Sequence, residues 1–364
     1  MTDDNISKQR KIAYIAMASI LFAAILGLTT FVIKQAVAAS EWVSLARDVD
    51  HRMKPYDKKF FTNSDGIRSE REASSIGEND YNIIFLGDSF IYGFLLTHKE
   101  FPPPAQLETI LRAHYSRNDI NVWNFGWTTS SPVLELRLLK DLGKKYHPDL
   151  VILAVDMSDY RDDYFYRHLI KGDGAYEYIK KYPRTMYVFK QLLTYVDGFT
   201  GWHKDVFGYV GNGRYFAATQ PLEDTRVQFD ELYDSLNQVY DYCHNELHVP
   251  LLVIIPPRHW QYTDKESPNT WESGAFDALG PYVLENYRYF DEKRPATPYP
   301  LISLLDDFKN SGVFPTTFDK DSHWNQHGAK LAAEAVFNHA QQGGYFASLD
   351  PSAPRATTRA DKRH

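Results

Sequence analysis

The sequence predicts an α/β fold: a doubly wound, mostly parallel sheet in three layers, with an inserted aromatic-rich cap and one N-terminal transmembrane helix. Three observations support this fold class. Short apolar segments alternate with amphipathic ones, as in parallel sheets that helices cover on both faces. A long aromatic-rich insertion interrupts the alternation, and an uncharged run of 22 residues lies near the N-terminus.

Length and composition indicate one large domain with insertions rather than two equal domains. The chain has 364 residues, of which 43% are hydrophobic, enough to bury a substantial core. The formal net charge of -7 argues against non-specific nucleic-acid binding. Cys243 is the only cysteine, which excludes an intrachain disulfide.

The N-terminal segment predicts a membrane anchor. Residues 12–33 carry no charge and would form a helix roughly 33 Å long, sufficient for the hydrocarbon core of a bilayer. Basic residues precede this run, so residues 1–11 are expected to be a cytoplasmic tail. The domain would then face the periplasm or the exterior from the inner membrane. A cleaved signal peptide is the alternative, because residues 36–38 form a small-residue cleavage site.

Segments of different composition divide the rest of the chain. Residues 34–59 are charged and irregular and are expected to be a stalk. An α/β domain is expected over residues 60–347, beginning with a turn in Phe60 to Arg68, where Asp-Gly lies between apolar residues. The last segment, residues 348–364, is rich in proline and basic residues and is expected to be disordered.

Five core strands are predicted from short apolar runs, and five helices from apolar residues that recur at three and four positions. The strands are expected at residues 83–86, 120–126, 150–155, 250–255 and 301–305. The helices are expected at residues 105–115, 132–142, 227–247, 282–290 and 329–337. Right-handed crossovers are expected to join the parallel strands.

Residues 160–225 are too long for a connection in a minimal sheet and are dense in aromatic residues. Long insertions in compact domains are usually functional, so this segment is expected to cap the active-site edge. Aromatic rings with polar tips suit stacking on sugars, but most of them are expected to build the small core of the cap itself.

A serine and a histidine lie where open α/β sheets carry their chemistry. The first core strand ends in Gly87-Asp88-Ser89, which would expose the serine at the carboxyl edge of the sheet. Asp321 and His323 lie directly before the last helix. These three groups are the components of nucleophilic acyl transfer. The alternative is that Asp88 or Ser89 caps a helix and that the histidine is structural.

The two blocks together resemble the SGNH, or GDSL-type, hydrolase superfamily, in particular its membrane-anchored, envelope-associated bacterial members. The resemblance covers roughly residues 60–337. It implies that Ser89 attacks an ester carbonyl, that His323 takes the serine proton, and that Asp321 orients the imidazole. Asp319 is the alternative acid.

The resemblance also implies an oxyanion site formed by the backbone N–H groups of Ser89 and Gly126. Glycine suits this position because it lets the backbone approach a substrate closely. The superfamily adds an Asn side chain as a further donor, but this chain has Ser158 there, and a hydroxyl is shorter than an amide. Losing one such donor costs about 100-fold to 1000-fold in turnover.

Further polar and aromatic residues at this edge are candidate substrate contacts: Asp88, Trp127, Asp159, His259 and Trp324. No cofactor is expected. No metal is expected either, because the segment between His323 and His327 lacks the carboxylate of a His-Glu-x-x-His site.

Three functions are compatible with the sequence. The first is a serine esterase or O-acyltransferase acting on ester groups, O-acetyl foremost, of an acylated glycan or another envelope substrate, with envelope polysaccharide machinery as a partner. The second is a degenerate SGNH-like domain that binds glycan or an export-complex partner, a hypothesis motivated by Ser158. The third is a lipid esterase close to the bilayer. Hydrolysis and transfer share the acyl-serine intermediate, so the sequence does not separate them.

Overall fold

A computed structural model describes residues 3–39, 43–46, 50–171, 217–266, 269–270, 272 and 277–350 of the chain. Residues 172–216 of the predicted cap lie outside the described residues. Residues 351–364 of the predicted disordered tail lie outside them as well.

The N-terminal helix α1 (Asp3–Ala39) extends beyond the predicted anchor at both ends. Its Ala13–Phe31 segment has a mean hydropathy of 2.0 and is long and apolar enough to cross a membrane, as a signal sequence would also be. A two-stranded antiparallel hairpin follows, formed by β1 (Val43–Ala46) and β2 (Asp50–Met53).

The end of the predicted stalk packs against the α/β body. Met53 is buried in the core, and Arg52 pairs with Asp141. The predicted domain boundary at residue 60 is therefore too late, because apolar burial already begins in β2.

Five parallel strands form the central sheet, as the sequence predicts. They are β3 (Tyr81–Gly87), β4 (Ile120–Gly126), β5 (Leu150–Ala154), β6 (Leu251–Ile255) and β7 (Leu301–Ser303). The spatial order β4-β3-β5-β6-β7 makes the sheet doubly wound. The chain leaves β3 in one direction to form β4 and crosses to the other side to form β5. The carboxyl end of β3 is therefore the topological switch point, where such sheets bind ligands.

Helices cover both faces of the sheet and produce the three layers. They are α2 (Ser89–Tyr92), α3 (Pro103–Tyr115), α4 (Pro132–Leu142), α5 (Asp159–Lys171), α6 (Leu222–Tyr242), α7 (Glu285–Lys293), α8 (Leu305–Asn310) and α9 (Gln326–Gln342). Alternate β3 residues belong to two cores: Ile84 and Leu86 pack with α4 and α6, whereas Ile83 and Phe85 pack with α3 and α9. All four are fully buried, and each contributes about 1.5–3 kcal/mol relative to exposure.

A short antiparallel hairpin precedes α9, formed by β8 (Thr317–Phe318) and β9 (Asp321–Trp324). The sequence did not indicate β9. After α9, a 3-10 turn at Ala347–Leu349 buries Leu349 completely. The prediction that disorder begins at residue 348 is therefore wrong for this turn, because its leucine completes the core beside α9.

Candidate active site

The turn after β3 presents Ser89 at the switch point of the sheet. Asp88 caps α2, because its side chain accepts a hydrogen bond of 2.8 Å from the Phe90 N–H. Gly93 ends the helix in the left-handed conformation at φ 78°. This single helical turn leaves Ser89, its first residue, half-buried while the other three residues are buried.

Ser89, His323 and Asp321 form one hydrogen-bonded chain. The Nε2 atom of His323 lies 2.8 Å from Ser89 Oγ, and its Nδ1 atom lies 2.5 Å from Asp321 Oδ1. Asp321 and His323 are two residues apart on β9, so the strand points both side chains to the same face. Because the carboxylate accepts from Nδ1–H, Nε2 is left to accept from the serine hydroxyl.

Asp321 is ionised in this arrangement. Partial burial acts to raise its pKa, but the hydrogen bonds and charge of His323 outweigh burial and hold the pKa below its usual value. Asp321 Oδ1 also accepts a hydrogen bond of 2.9 Å from the His323 backbone N–H. The alternative acid, Asp319, instead accepts a hydrogen bond from Asn269 and is exposed.

Two aromatic rings contact the imidazole of His323. The Phe90 ring stacks on it at a centroid distance of 4.8 Å and an angle of 29°, and the Phe94 ring lies 5.0 Å away. Both rings belong to α2 or the loop that follows it. The element that carries the serine therefore also orients the histidine.

The predicted oxyanion donors differ in availability. Among the described residues, no hydrogen-bond partner occupies the Ser89 backbone N–H. The Gly126 N–H donates to Asn124 Oδ1 at 2.9 Å and is therefore engaged. A side chain at Gly126 would lie only 2.6 Å from backbone atoms of Ile91 and Tyr92. The structure thus requires this glycine for the close approach of α2 to β4.

Ser158 is not placed as an oxyanion donor. Its hydroxyl donates to Asp156 Oδ2 at 2.7 Å, and its backbone N–H donates to the same oxygen at 2.8 Å. A hydroxyl has one proton to donate, and this contact uses it. The predicted donor role of Ser158 is corrected accordingly.

A buried ionic cluster lies behind the site, and we call Asp156, Arg258, Glu272 and Ser322 the Arg258 cluster. The Arg258 guanidinium contacts both oxygens of Asp156, at 2.8 and 2.6 Å, and Glu272 Oε1 at 2.9 Å. Ser322, which lies between the two site residues of β9, donates to Glu272 at 2.7 Å. The cluster thus joins the ends of β5 and β6 to β9.

Charge in the Arg258 cluster reaches the serine turn. Burial acts to raise the pKa of Asp156, but Arg258 lowers it to about 2. Burial and the Asp156 charge raise the pKa of Asp88 to about 6. The guanidinium also lies 4.5 Å from the centre of the Phe90 ring, which stacks on His323. The sequence pattern does not indicate the pairing of Arg258 with Asp156, because 102 positions separate the two residues.

Most of the predicted substrate contacts are buried side chains. Trp127 and His259 are 1% and 2% exposed, and Asp88 and Asp159 are similarly enclosed. Burial lowers the pKa of His259, which favours the neutral imidazole. Trp324 packs edge-on against Phe90 and belongs to the core. Substrate contact stays a prediction for these residues, and Trp324 has a packing role in addition.

Buried carboxyl groups are concentrated beneath the turn. Burial and the charge of Asp88 raise the pKa of Asp159 well above its usual value, and burial does the same for Glu135. Ser130 links Glu135 to the turn, because its hydroxyl contacts both Glu135 Oε1 and the Gly87 carbonyl. Within the described part of the chain, no three His, Cys, Asp or Glu side chains are grouped so that they would hold a metal ion.

Comparison with known proteins gives matches among solved structures only. No protein-family model and no curated protein matches the chain. The chain is similar to a mutant acetylxylan esterase from Geobacillus stearothermophilus, with 12% identity over 72% of this chain and 95% of that one and a TM-score of 0.38. It is also similar to a psychrotrophic esterase from Pseudoalteromonas, with 15% identity over 72% and 98% and a TM-score of 0.38.

A third structure of this kind is a GDSL-like lipase from Parabacteroides merdae, with 12% identity, 72% and 96% coverage and a TM-score of 0.42. Two of these three structures are thus named as esterases and the third as a GDSL-like lipase.

Proposed function

We propose that the protein is an SGNH/GDSL-type serine esterase or O-acyltransferase. It acts on ester groups, O-acetyl foremost, of an extracytoplasmic glycan or another envelope substrate. The observation that carries the proposal is the hydrogen-bonded chain from Ser89 Oγ through His323 to Asp321. These are the groups that nucleophilic acyl transfer requires, at distances that allow proton transfer.

The proposed reaction proceeds through an acyl-serine. His323 Nε2 takes the Ser89 proton while Oγ bonds to the carbonyl carbon and the carbonyl π electrons move onto oxygen. Collapse of this adduct expels the alcohol, which receives the proton from His323. Water or a sugar hydroxyl then attacks in the same way and releases the free acid or a new ester. Asp321 stabilises the imidazolium at both stages.

The Ser89 backbone N–H is the described donor that supports oxyanion binding, because it stands at the start of α2 next to the attacking oxygen. The Gly126 N–H would have to exchange its Asn124 contact for the substrate oxyanion. This requirement makes the oxyanion site weaker than one with three preorganised donors.

The apolar helix supports a location at the inner membrane, with the catalytic domain periplasmic or extracellular. There it would meet acylated glycan and envelope polysaccharide machinery as partners. Extraction of isolated membranes with alkaline carbonate tests the anchor. Retention of the full-length chain in the pellet is expected, whereas release would mean that the Ala13–Phe31 segment does not hold the protein in the bilayer.

A second candidate is a glycan-binding domain without catalysis. Two observations favour it specifically: the Ser158 hydroxyl is used by Asp156, and the Gly126 N–H is used by Asn124. A domain with both donors engaged would bind an acylated glycan without turning it over.

A serine-reactive fluorophosphonate probe separates the two candidates. An enzyme is labelled at Ser89, and labelling disappears in Ser89→Ala and falls sharply in His323→Ala. Ser75→Ala is a suitable control because Ser75 is exposed and its hydroxyl donates to the nearby Glu72 carbonyl. Labelling that persists in Ser89→Ala, or a wild type that never labels, would leave the binding function as the better proposal. Acetate release measured with and without an acetyl-accepting oligosaccharide then distinguishes hydrolysis from transfer.

A further inference from the structure

Arg68 lies in the predicted turn at Phe60 to Arg68, and its guanidinium reaches the end of the serine helix. Nη1 donates to the carbonyl oxygens of Tyr92 and Gly93 at 2.8 and 2.7 Å, and Nη2 donates to the Leu96 carbonyl at 2.5 Å. Arg68 is only 6% exposed. All three acceptors belong to the last residue of α2 or to the loop that follows it.

This buried cation is compensated by carbonyl dipoles rather than by a carboxylate. Within the described part of the chain, Arg68 forms no ion pair. The rings of Phe60 and Tyr92 lie 5.5 and 5.2 Å from its guanidinium carbon. Burial lowers the pKa of Arg68 to about 10, which still leaves it charged at neutral pH. Because burying an unpaired charge is expensive, the site is built for this guanidinium.

The carbonyls that Arg68 contacts are directly coupled to the serine. The Tyr92 N–H donates to the Asp88 carbonyl at 2.9 Å, and the Gly93 and Phe94 N–H groups donate to the Ser89 carbonyl at 3.1 and 2.9 Å. Tyr92 and Gly93 therefore each form two kinds of backbone hydrogen bond. Their N–H groups donate to the carbonyls of Asp88 and Ser89, and their carbonyls accept from Arg68. A shift of the guanidinium would be transmitted to Ser89 through one helical turn.

The turn that carries Arg68 is itself fixed by Asn63. The Asn63 side chain accepts from the N–H groups of Asp65 and Ile67 and donates to the Tyr146 hydroxyl at 2.9 Å. Gly66 is in the left-handed conformation at φ +79°, and a side chain there would meet the backbone of Met53. The Asn-x-Asp-Gly-x-Arg segment is thus a rigid loop that presents a guanidinium to α2.

We propose that Arg68 is a positioning residue for the Ser89 nucleophile. Its hydrogen bonds hold α2 and the following loop so that Ser89 Oγ stays within reach of His323 and Phe94 stays against the imidazole. The role rests on the proposed acyl-transfer function. Without the guanidinium, Ser89 attacks more slowly, whereas substrate affinity changes little, because Arg68 touches the backbone and not the substrate.

The experiment compares Arg68→Ala, Arg68→Lys and wild type as full-length chains in detergent micelles. Three quantities are measured: the rate of fluorophosphonate labelling, kcat and KM for nitrophenyl acetate, and Tm. We expect kcat and the labelling rate of Arg68→Ala to fall by about 100-fold with KM within about 2-fold, because misplacement by about 1 Å costs on this order. The kcat and labelling rate of Arg68→Lys should fall less than those of Arg68→Ala, because the ammonium keeps the charge. They should still fall, since one ammonium cannot reach all three carbonyls.

Free guanidinium provides the decisive readout. Millimolar guanidinium chloride should raise the kcat of Arg68→Ala by at least about 10-fold. Sodium chloride at the same ionic strength should not have this effect. Arg112→Ala is the matched control. Arg112 also donates to a backbone carbonyl, that of Ile120 at 2.8 Å, but it lies on α3 and not beside α2. The kcat of Arg112→Ala should therefore not respond to guanidinium.

Two outcomes would overturn the role of Arg68. One is a folded Arg68→Ala variant with wild-type kcat. The other is a loss of kcat in Arg68→Ala that guanidinium does not restore, together with a lowered Tm; that pattern describes a structural residue. A wild type that is not labelled at all would remove the proposed function instead, and the role of Arg68 with it, so the two failures are distinguishable.

Discussion

The Nε2 atom of His323 lies 2.8 Å from the Oγ atom of Ser89, although 234 positions separate the two residues in the chain. Two independent features produce this contact. The strand order places the end of β3 at the topological switch point of the sheet, and the β8–β9 hairpin carries His323 to the same edge. The aromatic rings of Phe90 and Phe94 then fix the imidazole plane.

Asp321 should be the acid that supports His323. In Asp321→Asn we expect kcat to fall by up to about 10⁴-fold, because the amide no longer selects the reactive tautomer or stabilises the imidazolium. Asp319→Asn is the control and should retain wild-type kcat, since Asp319 contacts Asn269. Steady-state kinetics with nitrophenyl acetate measure both. Equal losses in the two variants would contradict the assignment of Asp321.

Gly126 should be required by packing as well as by chemistry. A Cβ atom in Gly126→Ala would lie 2.6 Å from backbone atoms of Ile91 and Tyr92, so α2 must move. Since overpacking typically costs about 1–3 kcal/mol, we expect a lower Tm and loss of fluorophosphonate labelling at Ser89. Gly27→Ala is the control, because nothing lies within 4 Å of its added carbon. Normal labelling of Gly126→Ala would show that α2 tolerates the shift.

The sheet was predictable because its strands are buried on both faces and therefore read as continuous apolar runs. The predicted strand at residues 120–126 and helix at 132–142 coincide with β4 and α4. The predicted strand at 250–255 differs from β6 by one residue. Ser89 and His323 stay predicted catalytic residues; the sequence indicated them because acyl transfer restricts the residue types that can serve as nucleophile and base.

The rest of the site depends on contacts between distant segments that periodicity does not encode. β9 has only four residues, too few to show a pattern, and it exists because it pairs with β8. The hydrogen bond from the Ser158 hydroxyl to Asp156 depends on the conformation of the turn that follows β5. His259 and Trp324 are predicted substrate contacts in the sequence, whereas the structure buries both side chains.

Arg258 should contribute strongly to stability, because it is buried between two carboxylates. Arg258→Met leaves Asp156 and Glu272 without their cation, and removing one partner of a buried pair costs about 3–5 kcal/mol. Urea unfolding of the full-length chain in micelles, followed by tryptophan fluorescence, measures the change. Arg288→Met is the control, because Arg288 lies at the surface, where it pairs with Glu223, Glu285 and Glu292, and its loss should change stability much less. A similarly small change in both variants would mean that the Arg258 cluster relaxes or protonates without cost.

Asp163 should make the folded protein less stable as pH rises. Burial raises its pKa to about 7 from 3.8, although its contacts with Ser235 at 2.6 Å and the Val133 N–H at 2.8 Å oppose the shift. Between these two pH values the folded state holds more protons at Asp163 than the unfolded state. Its contribution to the unfolding free energy is therefore fully present below pH 3.8 and is lost as pH rises towards 7.

The variant Asp163→Asn removes this titration and isolates it from the other groups. The free energy of unfolding of the variant minus that of wild type should rise from pH 4 to pH 7, by at most about 1.4 kcal/mol per pH unit, and then level off. Glu334→Gln, which replaces a partly exposed carboxyl group on α9, is measured in parallel as the control. Urea unfolding across this pH range gives both curves. A flat difference for Asp163→Asn would mean that the carboxyl group ionises in the folded protein as readily as in the unfolded chain.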